Sequence, residues 1–306
     1  MTSAENAAAA SPGSTAPLYC DPVRTLPLAI LAALLGPVLP LRAQAGPVGA
    51  EIVFLDVGQG DAILIRSDTF VVLIDAGRSQ RILDDLDELG VDHVNLLIAS
   101  HNHLDHIGGM DAVIDSLPVG LFIDNGCEED TEAEAYVLRS LDYKHLQPQP
   151  AWDTTITIGR ASVRILPSPF NSSACDSSQN NMSVGVLLQV GKFQALLTGD
   201  SEVDELNAWL KAGVIPDVDV LKAAHHGARN GVTPGWIQAS TPEVVVISVE
   251  AGNSYGHPEE SALRYYRSGG RRVLRTDQDG SVGVCVEPDG KNEMRTHLEE
   301  SGAVCR

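Results

Sequence analysis

The sequence is short of positive charge. It has 21 Lys and Arg against 41 Asp and Glu, a formal net charge of −20. Phosphate neutralisation needs Lys and Arg, so no stable nucleic-acid complex is expected. Arg264, Arg267, Arg271, Arg272 and Arg275 form the one local basic group, and solvated surface is the simpler reading of it. Cysteine is scarce too. There are five, none in a CxxC spacing, so a cysteine zinc site is not expected. Cys20 lies in the N-terminal leader. Cys127, Cys175, Cys285 and Cys305 allow three disulfide pairings, with free thiols as the alternative. The absence of a Ser-His-Asp order, a P-loop and a GxGxxG leaves serine-hydrolase, NTPase and dehydrogenase readings without support. No regular period runs along the chain, so there is no solenoid signal.

A long hydrophobic run is also lacking. A spanning helix needs roughly 20 apolar residues. The longest run here, Leu26 to Leu41, is shorter and holds Pro27, Pro37 and Pro40. Arg24 precedes it, and Ala43-Gln44-Ala45 follows with the small-x-small pattern of a signal-peptidase site. The reading is a disordered leader and secretory signal over residues 1–45. The chain is then exported, periplasmic or secreted, with no transmembrane domain after cleavage. An uncleaved membrane anchor is the alternative. The stretch before Asp21 is rich in Ala, Ser, Thr and Pro and should not fold. Translation from Val23 would give a compact signal instead.

Past Gly49 the sequence alternates between strands and helices. Strands are expected at Glu51–Val57, Ala62–Ile65, Phe70–Ile74, Val94–Ala99, Leu121–Asp124, Thr155–Ile158, Ala161–Leu166, Ser183–Val190 and Gln194–Thr198. More follow at Val218–Ala223, Val244–Ser248, Arg272–Thr276 and Ser281–Val286. Helical spacing marks Ile82–Leu89, Gly108–Leu117, Asp130–Leu141, Glu202–Ala212 and Glu259–Ser268. Pro167 to Asn181 reads as the longest loop. This is an α/β pattern, one domain over residues 46–290, with a loose tail over 291–306.

The chemistry sits in Ser100-His101-Asn102-His103-Leu104-Asp105-His106-Ile107-Gly108-Gly109. An apolar strand runs into three histidines and an aspartate within six residues. Neutral imidazole and carboxylate are ligands for Zn²⁺, Mn²⁺ or Fe. His101 and His103 share a face if the strand persists, with Asp105 and His106 in the turn beyond it. Surface histidines are the alternative, and four such groups at one strand end argue against it.

The run resembles the HxHxDH signature of the metallo-β-lactamase superfamily. Other positions agree in order: Asp75-Ala76-Gly77, Leu197-Thr198-Gly199-Asp200 and His225-His226-Gly227. Leu55-Asp56-Val57-Gly58-Gln59-Gly60-Asp61-Ala62, Asn180-Asn181-Met182-Ser183, Leu221 to Gly227, Asn253 to Pro258 and Arg275 to Gly280 resemble the C-terminal domain of ComEC-type competence proteins, here in a stand-alone exported form. The resemblance implies a four-layer αβ/βα sandwich with one or two divalent metal ions, Zn or Mn. His101 and His103 are expected at one metal. Asp105, His106 and one of His225 or His226 are expected at the second, with Asp200 bridging. Much of the superfamily has a further histidine at the first metal, where this chain has Asn180-Asn181-Met182-Ser183.

The implied activity is metal-dependent hydrolysis through a metal-bound hydroxide, on a phosphoester of a small molecule or a nucleic acid, with Asp105 and Asp200 in the catalytic set. The alternatives are a non-catalytic metal-binding or assembly module of the cell envelope, or hydrolysis of a non-phosphate ester or amide. His257 is a candidate for substrate contact or proton donation, against a backbone-bonded loop histidine. Asp75 is a candidate for orienting a ligand histidine. Asp56 and Asp61 are read as turn-shaping or supporting residues, not ligands. Lys222 is read as contacting an anionic substrate or snorkelling. His93, His145 and His297 are read as surface residues.

Overall fold

The computed structural model describes residues 48–170, 175, 178–297 and 305. The expected leader, signal and alternative start lie outside the described residues. The strands are β1 (Ala50–Phe54), β2 (Ile63–Ser67), β3 (Phe70–Ile74), β4 (Val94–Ile98), β5 (Val119–Asp124), β6 (Gln149–Pro150), β7 (Thr154–Ile158) and β8 (Ala161–Leu166). They continue with β9 (Gly185–Val190), β10 (Phe193–Leu197), β11 (Val220–Lys222), β12 (Val244–Ile247), β13 (Arg272–Arg275), β14 (Val282–Val286) and β15 (Asn292–Arg295). The helices are α1 (Ile82–Glu88), α2 (Leu104–Ile107), α3 (Met110–Ser116), α4 (Glu132–Tyr143), α5 (Val203–Ala212), α6 (Pro234–Ser240), α7 (Glu260–Arg267) and α8 (Thr276–Asp279). None of the described helices is long and apolar enough to cross a membrane.

Two mixed sheets organise these elements. One has the order β15-β14-β1-β2-β3-β4-β5-β6, the other β13-β12-β11-β10-β9-β8-β7. The short apolar strands have both faces covered, as near-continuous hydrophobic runs require. Successive side chains take opposite faces. In β1, Ile52 and Phe54 join Val186, Leu188, Leu197 and Val246 in the core between the sheets, while Val53 packs outward. Leu64, Leu73 and Leu97 meet Leu86 of α1, Val113 of α3 and Leu141 of α4 on one outer side. Leu196, Leu221 and Val245 meet Leu206 and Trp209 of α5, Trp236 of α6 and Tyr266 of α7 on the other. The result is the four-layer αβ/βα sandwich. Each fully buried large aliphatic contributes roughly 1.5–3 kcal/mol.

The expected elements are largely present, with local differences. The expected strand Val94–Ala99 ends at Ile98, and Asp105 and His106 sit in the short helix α2 rather than a turn. The expected loose tail contains β15, which pairs antiparallel with β14. Helix α6 has no apolar stripe long enough to announce it. Its start is set locally: Thr233 Oγ1 accepts the Trp236 N–H at 3.0 Å, with Pro234 in the first turn. Two disulfides form, Cys127–Cys175 and Cys285–Cys305, with Cα separations of 5.6 and 5.4 Å. The first ties the long loop to the segment after β5; the second ties the chain end to β14. The arginine cluster is engaged locally: Arg275 Nη2 lies 2.5 Å from Asp277 Oδ2 and Arg267 Nη1 3.9 Å from Glu260 Oε2.

Strand direction places the site. β3, β4 and β5 are parallel, as are β10, β11, β12 and β13. Both parallel sets deliver the loops after their carboxyl ends to one edge of the sandwich, where ligands bind in open α/β sheets. Just behind that edge, Glu205 of α5 is fully buried. Burial pushes its carboxyl up to about 8, against opposing bonds from Ser168, Ser201 and the Ser183 N–H. A carboxyl raised on folding stabilises the fold below its unfolded value of 4.5, and that stability is lost as pH rises through 8. Urea unfolding should therefore show Glu205→Gln gaining on the native protein by a few kcal/mol between pH 5 and pH 9. A difference that does not change with pH would contradict this placement.

Candidate metal centre

The loop after β4 carries His101, whose side chain is buried. His101 Nε2 lies 2.9 Å from His103 Nδ1, so the two imidazoles face each other, as the alternation predicts. Burial, followed by the His106 charge, lowers the His101 pKa well below the usual histidine value, which keeps it neutral. His106 from α2 is buried against Asp75, with Nδ1 2.8 Å from Asp75 Oδ2. Asp75 also accepts the Ser100 N–H and hydroxyl, both at 2.7 Å. A carboxylate on one ring nitrogen fixes where the other points, which is the geometry an orienting residue needs.

Asp200 follows β10. Its Oδ2 lies 3.3 Å from His106 Nε2 and 3.3 Å from His226 Nε2. His226 Nε2 is also 3.4 Å from Asp105 Oδ2, and its Nδ1 donates to the Ser248 carbonyl at 3.0 Å. The structure thus separates the histidine pair. His226 is buried within the cluster. His225 is partly exposed at the edge, its Nε2 3.9 Å from Asp200 Oδ2 and its Nδ1 3.5 Å from Glu202 Oε1. The choice is made by backbone: His225 and His226 both have left-handed φ, 51° and 52°. Asp75 has φ 58°. Such residues cost roughly 1–3 kcal/mol each and persist where surrounding structure over-determines them. All three lie at this site.

Asp61 lies beside Asp200, His226 and Lys222, which fits the supporting role, one of the two readings its sequence context allowed. The bend that delivers it needs Gly60, at φ +135°, where a Cβ would stand 2.1 Å from the Asp105 carbonyl oxygen. The Asp61 N–H donates to that oxygen at 3.1 Å. Its carboxylate contacts Lys222 Nζ. Lys222 neither snorkels nor reaches a substrate. It is fully buried, donates to the Gly199 carbonyl at 2.9 Å and stands 3.7 Å from Asp200 Oδ1. The buried charge next to the aspartates accounts for the correction. Asp56 Oδ1 accepts the Gly58 N–H at 3.3 Å, the turn role expected of it.

The fit to divalent cations is read from the donors. Ligand atoms of His101, His106 and Asp200 lie within 4.8 Å of one another, as do those of Asp105, His106 and His226. His106 Nε2, His226 Nε2 and Asp200 Oδ1 are buried and make no hydrogen bond. Buried polar atoms without a hydrogen bond are costly, and a cation held among them would give all three a ligand bond. In the protein alone, protons take that place. Burial opposes charge on His226, but Asp200 and Asp105 push its pKa up to about 9. His106 is likewise raised well above the usual value by Asp200 and Asp75, against burial. Burial also opposes the Asp200 charge, and His226 with His106 more than reverses it, holding that carboxyl well below its ordinary range.

A cleft of about 360 Å³ opens over this cluster, lined by Arg78, Leu104, Asn180, Tyr255 and His257 among others. The Tyr255 and His257 rings stack at 5.9 Å, and His257 meets the His225 ring at 5.6 Å. Burial, then the charges of His225 and His226, lower the His257 pKa. A neutral imidazole suits proton acceptance better than the expected donation. No ion pair ties Arg78 among the described residues, and it is the one Lys or Arg in the cleft lining.

Residues 55–144 match the model of the metallo-β-lactamase superfamily. The fold is shared with a solved CmlA beta-hydroxylase E377D mutant at a TM-score of 0.50 and 18% identity, covering 74% of this chain and 52% of that one. The chain carries a metallo-β-lactamase superfamily domain. Its homologues include competence proteins of the ComEC type. ComE operon protein 3 of Bacillus subtilis is 26% identical over 76% of this chain and 32% of its own length. Competence protein ComA of Neisseria gonorrhoeae is 27% identical over 89% of this chain and 37% of its own. Recombination protein 2 of Haemophilus influenzae is 28% identical over 75% and 28%. The chain spans about a third of the length of these relatives.

Removing one partner of a buried ion pair leaves the other uncompensated. In chelator, Lys222→Met should therefore lower the unfolding free energy by about 3–5 kcal/mol. A loss under about 1 kcal/mol in denaturant titration would show that the Asp61–Lys222 pair is not buried as described.

Proposed function

We propose that this protein is a metal-dependent hydrolase acting on phosphoesters. The observation that carries the reading is the convergence of His101, His106, Asp105, Asp200 and His226 on one buried locus beneath an open cleft. Bound there, one or two divalent ions such as Zn²⁺ or Mn²⁺ would supply Lewis acidity, activating water near neutral pH and neutralising charge on phosphoryl oxygens.

The chain's own residues supply the rest. His101 and His103 would hold one ion, and Asp105, His106 and His226 the other, with Asp200 between them. Asp75 and the Ser248 carbonyl fix the ring orientations of His106 and His226. Arg78 offers an unpaired guanidinium to an anionic substrate at the cleft, where a fork of donors suits phosphate. His257 stands at the cleft wall as a neutral imidazole able to accept a proton.

The names of the homologues, competence proteins and a recombination protein, suit a nucleic-acid phosphodiester among the candidate substrates. The net charge of −20 argues instead for a small phosphoester or a transient encounter with nucleic acid. Two disulfides support an exported protein working in an oxidising compartment.

Turnover of bis-(p-nitrophenyl) phosphate by protein reconstituted with Mn²⁺ or Zn²⁺ tests the reading. The native protein should turn over only with metal, and Asp200→Ala should cut kcat/KM by more than about a hundredfold with the fold retained. No turnover by the metal-loaded native protein, or an active Asp200→Ala, would overturn it.

A further inference from the structure

The first metal position as proposed above takes His101, His103 and Asp200 and has no third histidine. The corresponding stretch, Asn180 to Met182, forms a short 3₁₀ turn. Hydrogen bonds lock that turn between the two strands that deliver the ligands. The Ser183 hydroxyl donates to the Asn180 carbonyl at 2.9 Å and accepts the Asp200 N–H at 3.2 Å. The next residue, Val184, donates its N–H to the Ser100 carbonyl at 2.8 Å, immediately before His101. The turn is therefore held beside both Asp200 and His101.

The two asparagines in it have different work. Asn181 is spent on structure: its Oδ1 accepts the Glu205 N–H of α5 at 3.2 Å. Asn180 is not. Its amide nitrogen donates to Glu202 Oε1 at 2.9 Å, so its oxygen must turn the other way, because a carboxylate accepts and cannot donate. That oxygen, Asn180 Oδ1, is buried and has no hydrogen-bond partner, like Asp200 Oδ1 and His106 Nε2. Asn180 lines the same cleft as His103 and Asp200.

Resting on the metal-centre reading above, we propose that Asn180 Oδ1 is the ligand that completes the His101–His103–Asp200 position, in place of an imidazole. Glu202 acts as its positioning residue, holding the amide nitrogen so that the oxygen is presented. The position then offers two nitrogens and two oxygens. A site richer in hard oxygen donors discriminates less against Mn²⁺ relative to Zn²⁺ than one with three imidazoles.

Metal binding by the full chain, without any turnover assay, tests this. Mn²⁺ titration by calorimetry, with bound metal counted by mass spectrometry, should give two ions for the native protein. Asn180→Ala should retain one and lose the other, or weaken it by roughly 10- to 100-fold. Asn181→Ala should keep both. Should Asn180→Ala fail to fold, Asn180→His serves: its Zn²⁺-to-Mn²⁺ affinity ratio at the weaker position should rise at least about tenfold. Two ions bound by Asn180→Ala with native affinities, or an unchanged ratio in Asn180→His, would overturn the role of Asn180 alone. A native protein that binds no metal would overturn the metal-centre reading itself.

Discussion

Asp200 Oδ2 stands 3.3 Å from two buried imidazole nitrogens, one contributed from each sheet's side of the sandwich. A carboxylate in that position cannot be left without a positive partner, because the cost of burying an isolated charge is large. The protein meets that demand with His106 and His226 held above their usual pKa, and with Lys222 tucked beneath. The same arrangement would meet it with a cation. The rest of the site follows from this constraint. Asp75 and the Ser248 carbonyl take the outward nitrogens of the two histidines, and Asp61 balances Lys222.

The constraint also accounts for left-handed backbone at three residues of the site. His226 reaches Asp200 only because it and His225 adopt left-handed backbone, and Asp75 reaches His106 from a third such residue. Gly60 permits the close passage of the Asp61 segment over the Asp105 carbonyl. The two sheets provide the rigidity to hold these conformations. Their inner faces pack Ile52, Phe54, Leu188 and Val246 into one core, and their parallel strands aim the site loops at a shared edge.

Much of this was legible in the chain itself. The apolar runs announced strands such as β1, β3 and β12 because these are buried on both faces, and the His101–His106 cluster announced the site because its donor types recur at close spacing after such a run. Other features were not legible, for physical reasons. Nothing local in His225-His226 says which ring turns inward, since the answer lies in two φ angles. Lys222 reads in sequence as a substrate contact or a snorkelling cation because its partner Asp61 is remote in the chain. Asn180 and Asn181 are identical in type and both donate to Glu202; only the Glu205 N–H on the Asn181 oxygen separates them. The strand β15 is polar, exposed and at a sheet edge, so it carries no apolar alternation to read.

The central claim is that this buried cluster is a metal centre. Anomalous scattering from crystals of the Mn²⁺- or Zn²⁺-loaded protein tests it most directly. The account predicts peaks within bonding distance of His106 Nε2, His226 Nε2 and the Asp200 carboxylate. A well-ordered site with no anomalous peak there, its histidines still paired with Asp200 alone, would contradict it.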